Sequence, residues 1–421
     1  MSTPSTTALR PAQLWLAIGA LALGAFGIGS TEFVVMGLLP QISASLLPEL
    51  DAANHEEAIA QTGWLISVYA LGVVVGAPTI AALAARVPRK RLLVVLLAVL
   101  TIATLASALL PGFGLVMLAR FLAGLPHGAY FGIAMLVAAR LLGPRRRALG
   151  VALVMAGLTI ANVVGVPAIT FLGQATDWRV AYLAVAAVFA LSCLCVLLLV
   201  PSIPADAGAS IRRELAVFRR PQVWITLAIG AIGFGGFFAV YSYTADVVVR
   251  VTALPESATP FALSTIGLGM TVGNLVGGRL ADRSVMGTVL GGFGALAVAL
   301  VAFFLLSPNP VGLFVGVFLV GFAASVINPA VQTRLMDVAG DGQSLAAASN
   351  HSAFNIGNSL GAYLGGLTIA AGFGYRSPAL DGLVLLVPAV VLALVSIRLG
   401  GVTHVHHDEL VVDAQAEAAG E

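Results

Sequence analysis

Glu32 is the one carboxylate well inside a long apolar run, residues 14–39. It lies about 27 Å from the start of that run at 1.5 Å per residue, with Pro40 and Ile42 closing the helix. Ionising a carboxylate in so dry a setting costs several kcal/mol, so the group keeps its proton when occluded and gives it up when wet. Proton coupling needs such a cycle. The alternative is a structural carboxylate bonded to a backbone group or an arginine. Arg120 is the one basic residue well inside an apolar run, where backbone carbonyls are its simplest partners. His127, two turns on, belongs to the residue type that titrates near neutrality. Beside Pro126 and Gly128 it suits a hydrogen-bonded packing role equally well, and His351 presents the same choice. Asn162, Asn328, Gln332, Asn350, Asn355 and Asn358 are amides in apolar runs, which bond helix to helix or bind a substrate. Asn355 and Asn358, three apart, share a helix face. Tyr241 and Tyr243 join aromatic bodies to polar tips. Asp246 sits too near the end of its run to act in the interior.

The elements holding these groups follow from composition. Of 421 residues, 59% are hydrophobic and 10% charged, with mean hydropathy +1.01. No water-soluble packing buries that much apolar surface, and disorder needs the opposite balance. Apolar runs long enough to span a bilayer recur at about 14–39, 61–84, 92–110, 113–142, 148–172, 180–200, 223–249, 259–281, 288–306, 311–332, 344–371 and 380–397. The chain reads as an all-α membrane protein of twelve helices. Strand alternation, the mark of an outer-membrane barrel, is absent. Cys193 and Cys195 point to different faces of one helix, so packing explains them. His404, His406 and His407 lie in a polar tail and read as solvated, with no metal site expected.

Orientation follows from Arg and Lys. With the N-terminus in the cytoplasm, 17 of them fall inside and three (Arg179, Arg250, Arg376) outside. The loop before Gln61 carries Glu49, Asp51, Glu56 and Glu57 and no basic residue. The positive-inside rule puts both termini in the cytoplasm. The halves also repeat. Leu83-Ala84-Ala85-Arg86 returns as Leu280-Ala281-Asp282-Arg283, 197 positions on, and Trp178-Arg179 as Tyr375-Arg376 at the same shift. Asn162-Val163-Val164-Gly165 returns as Asn358-Ser359-Leu360-Gly361. The expected division is residues 1–13 as a cytoplasmic N-terminus, 14–200 as one six-helix bundle, and 201–221 as a basic cytoplasmic linker. Residues 222–398 form the second bundle and 399–421 a cytoplasmic tail. Repeats of this kind place a substrate site at their interface near the midplane.

Several segments then resemble the major facilitator superfamily. The loop after the second span resembles its signature, with Ala85 where an Asp is usual and Pro88 where a Gly is usual. The second-half copy, Gly278-Arg279-Leu280-Ala281-Asp282-Arg283, is closer. Arg120-Phe121-Leu122-Ala123-Gly124 is similar to the fourth-helix motif. Gly157 with Gly165-Val166-Pro167 is similar to the fifth-helix motif of antiporters. Thr31-Glu32-Phe33 to Leu39-Pro40, Leu125-Pro126-His127-Gly128-Ala129 and Ala353-Phe354-Asn355-Ile356-Gly357 resemble the drug:proton antiporter branch, particularly arabinose-efflux-type and chloramphenicol-resistance permeases. The resemblance implies alternating access, efflux of a small neutral or amphiphilic molecule against protons, and a multi-pass place in the bacterial cytoplasmic membrane. It implies that Arg120 organises the cavity or assists proton transfer. It also implies gating by Arg86, Arg89, Arg91, Asp282 and Arg283. The expected partners are a small-molecule substrate, protons and lipid, with no nucleic acid, no cofactor and a monomeric chain.

No phosphate-binding loop surrounds Lys90, and neither His-Glu-x-x-His nor Gly-x-Ser-x-Gly occurs, so the chain is not expected to be an enzyme. The rival readings are a proton-coupled uptake symporter and, in another class, a haem or quinone redox protein ligated by His127 and His351.

Overall fold

A computed structural model describes residues 11–84, 87–143, 146–203, 216–339 and 343–418; side chains at 81–84, 343–348 and 400–418 are among those outside the description. Helix α1 spans Pro11–Gly37 and is followed by three short helices, α2 Leu39–Leu46, α3 Pro48–Ala53 and α4 His55–Thr62. The rest of the first half is α5 Trp64–Ala84, α6 Arg89–Leu109, α7 Phe113–Gly124, α8 His127–Leu142, α9 Arg147–Ile160, α10 Val166–Ala175 and α11 Trp178–Leu199. The second half holds α12 Pro221–Ser242, α13 Thr259–Ala281, α14 Val285–Leu306, α15 Pro310–Ala339, α16 Gln343–Thr368 and α17 Ser377–Ala418.

Local sequence explains the boundaries. Asn54 caps α4 by accepting from the Glu57 amide, Asp177 caps α11 through the Arg179 amide, and Ser284 caps α14 through the Gly287 amide. Each side chain satisfies an amide that the first helical turn leaves without a carbonyl. Two apolar runs that read as single helices are broken. Leu125-Pro126 separates α7 from α8, because Pro126 has no N–H to continue the ladder. A π-turn at Ala161–Gly165 separates α9 from α10, just ahead of Pro167. The 39–62 stretch, read as a polar loop, is the helical cap of one end of the molecule; this is called the capped end below.

Eleven helices among the described residues are long and apolar enough to cross a membrane. The twelfth is α16, 26 residues long, which carries Asn350, His351, Asn355 and Asn358. Its polar side chains are tolerated because the helix is sandwiched, against α12 on one side and α5 of the other half on the other. Glycine sets the first spacing: a Cβ on Gly361 would collide with the backbone of α12 at Gly235 and Ala239. Apolar side chains such as Ile102, Leu198, Val298 and Val384 project outward and exposed from the bundle, as lipid-facing helices require.

The halves meet along a seam at and below the capped end. Gln41 Nε2 donates to Glu256 (2.8 Å) and Ser67 Oγ to the Ser359 carbonyl (3.2 Å). The Trp64 and Tyr363 rings meet edge to face at 5.2 Å. The π-turn belongs to this seam. Pro167 cannot donate to the Val163 carbonyl, its normal i−4 partner, and Ser264 Oγ of α13 donates to that carbonyl instead, at 2.8 Å. A break in one half's helix is thus the acceptor for the other half.

Candidate functional site

Glu32 lies on α1 with 6% of its surface exposed. Its Oε1 accepts a hydrogen bond from Asn358 Nδ2 of α16 at 3.3 Å, so the acid touches the opposite half. Asn358 Oδ1 has no partner. The next residue, Phe33, stacks on Tyr241 of α12 at 5.2 Å and on Phe238 at 6.4 Å, which closes an aromatic wall beside the acid.

Arg120 is fully buried. Its Nη1 donates to the Thr31 carbonyl (2.9 Å) and to Thr31 Oγ1 (3.2 Å), and its guanidinium lies 4.2 Å from the Tyr69 ring centroid. Nε and Nη2 have no hydrogen-bond partner. The cation is therefore held by the backbone next to Glu32 and by a π face, without a direct ion pair to the acid. Of the roles weighed for Arg120, the structure displays the backbone partner, the Thr31 carbonyl, next in sequence to Glu32.

Tyr69 ties this group to the histidines. Its hydroxyl lies 3.0 Å from His127 Nδ1, and the His127 ring lies 6.5 Å from the ring of His351 across the seam. Phe131 stacks nearly parallel on His351, 5.2 Å between centroids and 4° between planes. With Phe131 on one imidazole face and Tyr69 on the other histidine's Nδ1, the pair is engaged by protein groups, an arrangement unlike an open axial-ligand pair. Glu32, Arg120, His127, His351 and Asn358 thus form one connected group spanning both halves.

The remaining candidates are more scattered. Asn162 is buried in the π-turn, and the hydroxyl of fully buried Tyr241 has no partner. Tyr243 lies at the capped end with its hydroxyl donating to the Ala362 carbonyl at 2.5 Å, away from the Glu32 group. Asn355 donates to the His351 carbonyl (3.0 Å). Asn350 is buried with Oδ1 unpartnered, whereas Asn328 and Gln332 are half-buried on α15. Of the gating candidates, Arg86 lies outside the described residues. Arg89 is buried and its backbone amide donates to the Ile203 carbonyl (3.0 Å). Arg91, Asp282 and Arg283 are exposed, and no ion pair joins Asp282 to Arg283 among the described residues.

Three members of the site were not read from the sequence: Tyr69, Thr31 and Phe131. Tyr69 was the legible one, a hydroxyl in the apolar run 61–84. The contributions of Thr31, mainly a backbone carbonyl, and Phe131, a ring among many, have no sequence signal.

Comparison with known proteins bears on the family and the fold. The Major Facilitator Superfamily profile matches residues 21–347 and 254–409. The inner membrane transport protein YdhP of Escherichia coli K12 is 39% identical over 90% of this chain and 95% of its own. The putative transporter AraJ of the same organism is 32% identical over 87% and 91%. A chloramphenicol resistance protein of Streptomyces lividans is 28% identical over 85% and 90%. Among solved structures, a bacterial homologue of the human lysosomal transporter Spinster superposes with a TM-score of 0.74 over 93% of this chain and 98% of that one, at 16% identity. The fold, the repeat and these relatives lead to one conclusion: the chain is a transporter of the major facilitator superfamily.

Proposed function

We propose that the protein exports a small neutral or amphiphilic compound in exchange for protons, with Glu32 as the coupling group. The observation that carries this reading is the hydrogen bond from Asn358 to Glu32 across the two halves. An acid placed where the halves part is wet when they separate and dry when they meet. Crossing the dry state with a bare charge costs several kcal/mol, so the unloaded carrier returns with the acid protonated. Asn358 accommodates both forms. Its amide donates to the carboxylate, and its unpartnered Oδ1 can accept from the protonated acid. Arg120, fixed on Thr31, makes the ionised form tolerable once substrate is present. His127 joins the same polar group through Tyr69.

The surrounding amides, tyrosines and phenylalanines, with one acid, suit a neutral amphiphile better than a polyanion. The relative named for chloramphenicol resistance supports a substrate of that class and the outward direction. Charge asymmetry supports cytoplasmic termini and a capped end facing outward. The relative named as an inner membrane protein supports that membrane. The chain works as a monomer on this reading, since both halves of the site come from one polypeptide.

Everted vesicles given an imposed pH gradient test the coupling. Glu32→Gln keeps the size and a hydrogen bond to Asn358 but cannot release a proton, so uphill transport is abolished while downhill exchange survives. Vesicles of that variant that still concentrate a phenicol drug against its gradient would refute the assignment.

A further inference from the structure

The capped end holds a second polar cluster, separate from Glu32. His55 begins α4 and opens the second membrane-crossing segment, residues 55–77, and both its ring nitrogens face carboxylates. Nδ1 lies 2.8 Å from Asp51 Oδ1 in its own half, and Nε2 lies 3.4 Å from Asp246 Oδ1 in the other half. Asp246 is 1% exposed, and its second oxygen, Oδ2, has no partner. Its other cation is Arg250, whose Nε lies 3.8 Å away. Tyr375 approaches the imidazole at 6.5 Å between centroids and carries the Arg250 guanidinium over its ring at 5.8 Å. Ser43 Oγ also donates to Asp51 Oδ1 (2.9 Å).

Only an imidazolium donates from both nitrogens. A neutral ring can satisfy one carboxylate and must turn a lone pair toward the other. A nearly fully buried aspartate with one orphaned oxygen makes that loss expensive. We propose that His55 is a second proton-binding site of the transporter, and that its proton latches the two halves together at the capped end. The imidazolium donates to Asp51 from Nδ1 and to Asp246 from Nε2 when the halves meet, and the bridge is gone when they part.

The groups facing His55 are consistent with this. Asp51 comes from α3, Asp246 and Arg250 from the segment after α12, and Tyr375 from the turn before α17; α2, α16 and residues 369–373 bring no charged side chain to the cluster. Two carboxylates face the ring, and the arginine is held by one of them. Because the closed state binds this proton more tightly than the open one, closure is favoured at low pH and is lost as pH rises through the closed-state pKa. Each unit of difference between the closed and open pKa changes the closed-to-open ratio tenfold between the two pH limits. The sense of the response rests on the proposed orientation, with acid outside closing the outer gate after substrate has left. The titration itself is independent of orientation and of Glu32.

Double electron–electron resonance on the full chain in nanodiscs, without substrate, tests the latch. Spin labels go on cysteines at the exposed positions Ala53 and Ser257, with Cys193 and Cys195 replaced. The short-distance population should dominate at pH 5 and fall several-fold by pH 9. His55→Gln should flatten that dependence, and Asp246→Asn, which keeps the histidine, should move its midpoint to lower pH. Glu32→Gln should leave it intact, which separates this inference from the coupling assignment. A pH-independent wild-type distribution, or a response that survives in His55→Gln, overturns the proposal. A response abolished by Glu32→Gln instead places the titrating group at the centre of the molecule and overturns it equally.

Discussion

Replacing Ser264 by alanine removes one hydroxyl, yet on the proposed alternating cycle that hydroxyl has leverage over how the halves meet. Its 2.8 Å bond goes to the Val163 carbonyl, which Pro167 has deprived of its normal helical donor. When the halves part, water can reach that carbonyl. When they meet in Ser264→Ala, the carbonyl is closed off without a donor, a penalty of about 1–3 kcal/mol for a buried backbone acceptor. The penalty falls on the closed state alone, so the closed-to-open ratio at the capped end should fall by roughly 5- to 150-fold. Distances between spin labels at Ala53 and Ser257 read this ratio directly. The cause can be isolated with a second change. Pro167→Ala restores an N–H that can bond Val163 within the helix, so Ser264→Ala should cost little in that background. A coupling energy near zero in this double-mutant cycle would refute the account of the π-turn as an acceptor made for the other half.

The same seam predicts that Gly267→Ala opens the capped end, because the added Cβ would overlap the backbone carbonyl of Asn162 in the other half and backbone cannot move aside cheaply. Label distances should lengthen, and a variant that closes normally would show the contact to be slack. Tyr69→Phe should leave the ring under Arg120 and remove only the partner of His127 Nδ1, about 1 kcal/mol. Tyr69→Leu should lose the cation–π contact as well, about 0.5–2 kcal/mol more, and equal thermal destabilisation of the two would contradict that partition. Arg120→Lys keeps the charge but not the planar contact or the reach to Thr31. Transport should drop more than tenfold on losing a charged hydrogen bond of about 1.5–3 kcal/mol, and wild-type rates in vesicles would count against a positioned guanidinium.

Much of the architecture was legible because a bilayer imposes long apolar helices and biased loops, and both are written residue by residue. Glu32, Arg120, His127, His351 and Asn358 were legible as candidates for a related reason: a polar group in hydrocarbon is conspicuous and needs either a partner or a use. The partners they found were less so. Nothing in the run 61–84 says that Tyr69 meets His127 and Arg120 at once, since that depends on how α5 and α7 cross. Gly72 and Gly124 allow that crossing, each lying against the other's helix backbone, but glycines are common in such helices. The capped end was the least visible part. Residues 39–62 are polar enough to read as loop, and their helicity comes from the Asn54 cap and from packing beneath them.

His55 illustrates why a charge count misses chemistry of this kind. The acidic stretch Glu49–Glu57 served as topology information, and Asp246 was set aside as too far out to act in the interior. Each reading is reasonable within one half. The two become a site only because the repeat brings the end of α12 over the start of α4, joining residues 191 positions apart. On the proposed proton-coupled cycle, the seam needs polar contacts, since a purely apolar one would have no means of responding to protons. The groups that make such contacts are acids and histidines near helix ends, where the cost of burial is moderate and water is close when the gate parts. That argument selects His55 with Asp246 at the rim and Glu32 with Asn358 at the centre. It also makes them separable: His55→Gln should alter when the capped end closes, and Glu32→Gln whether closing moves a proton.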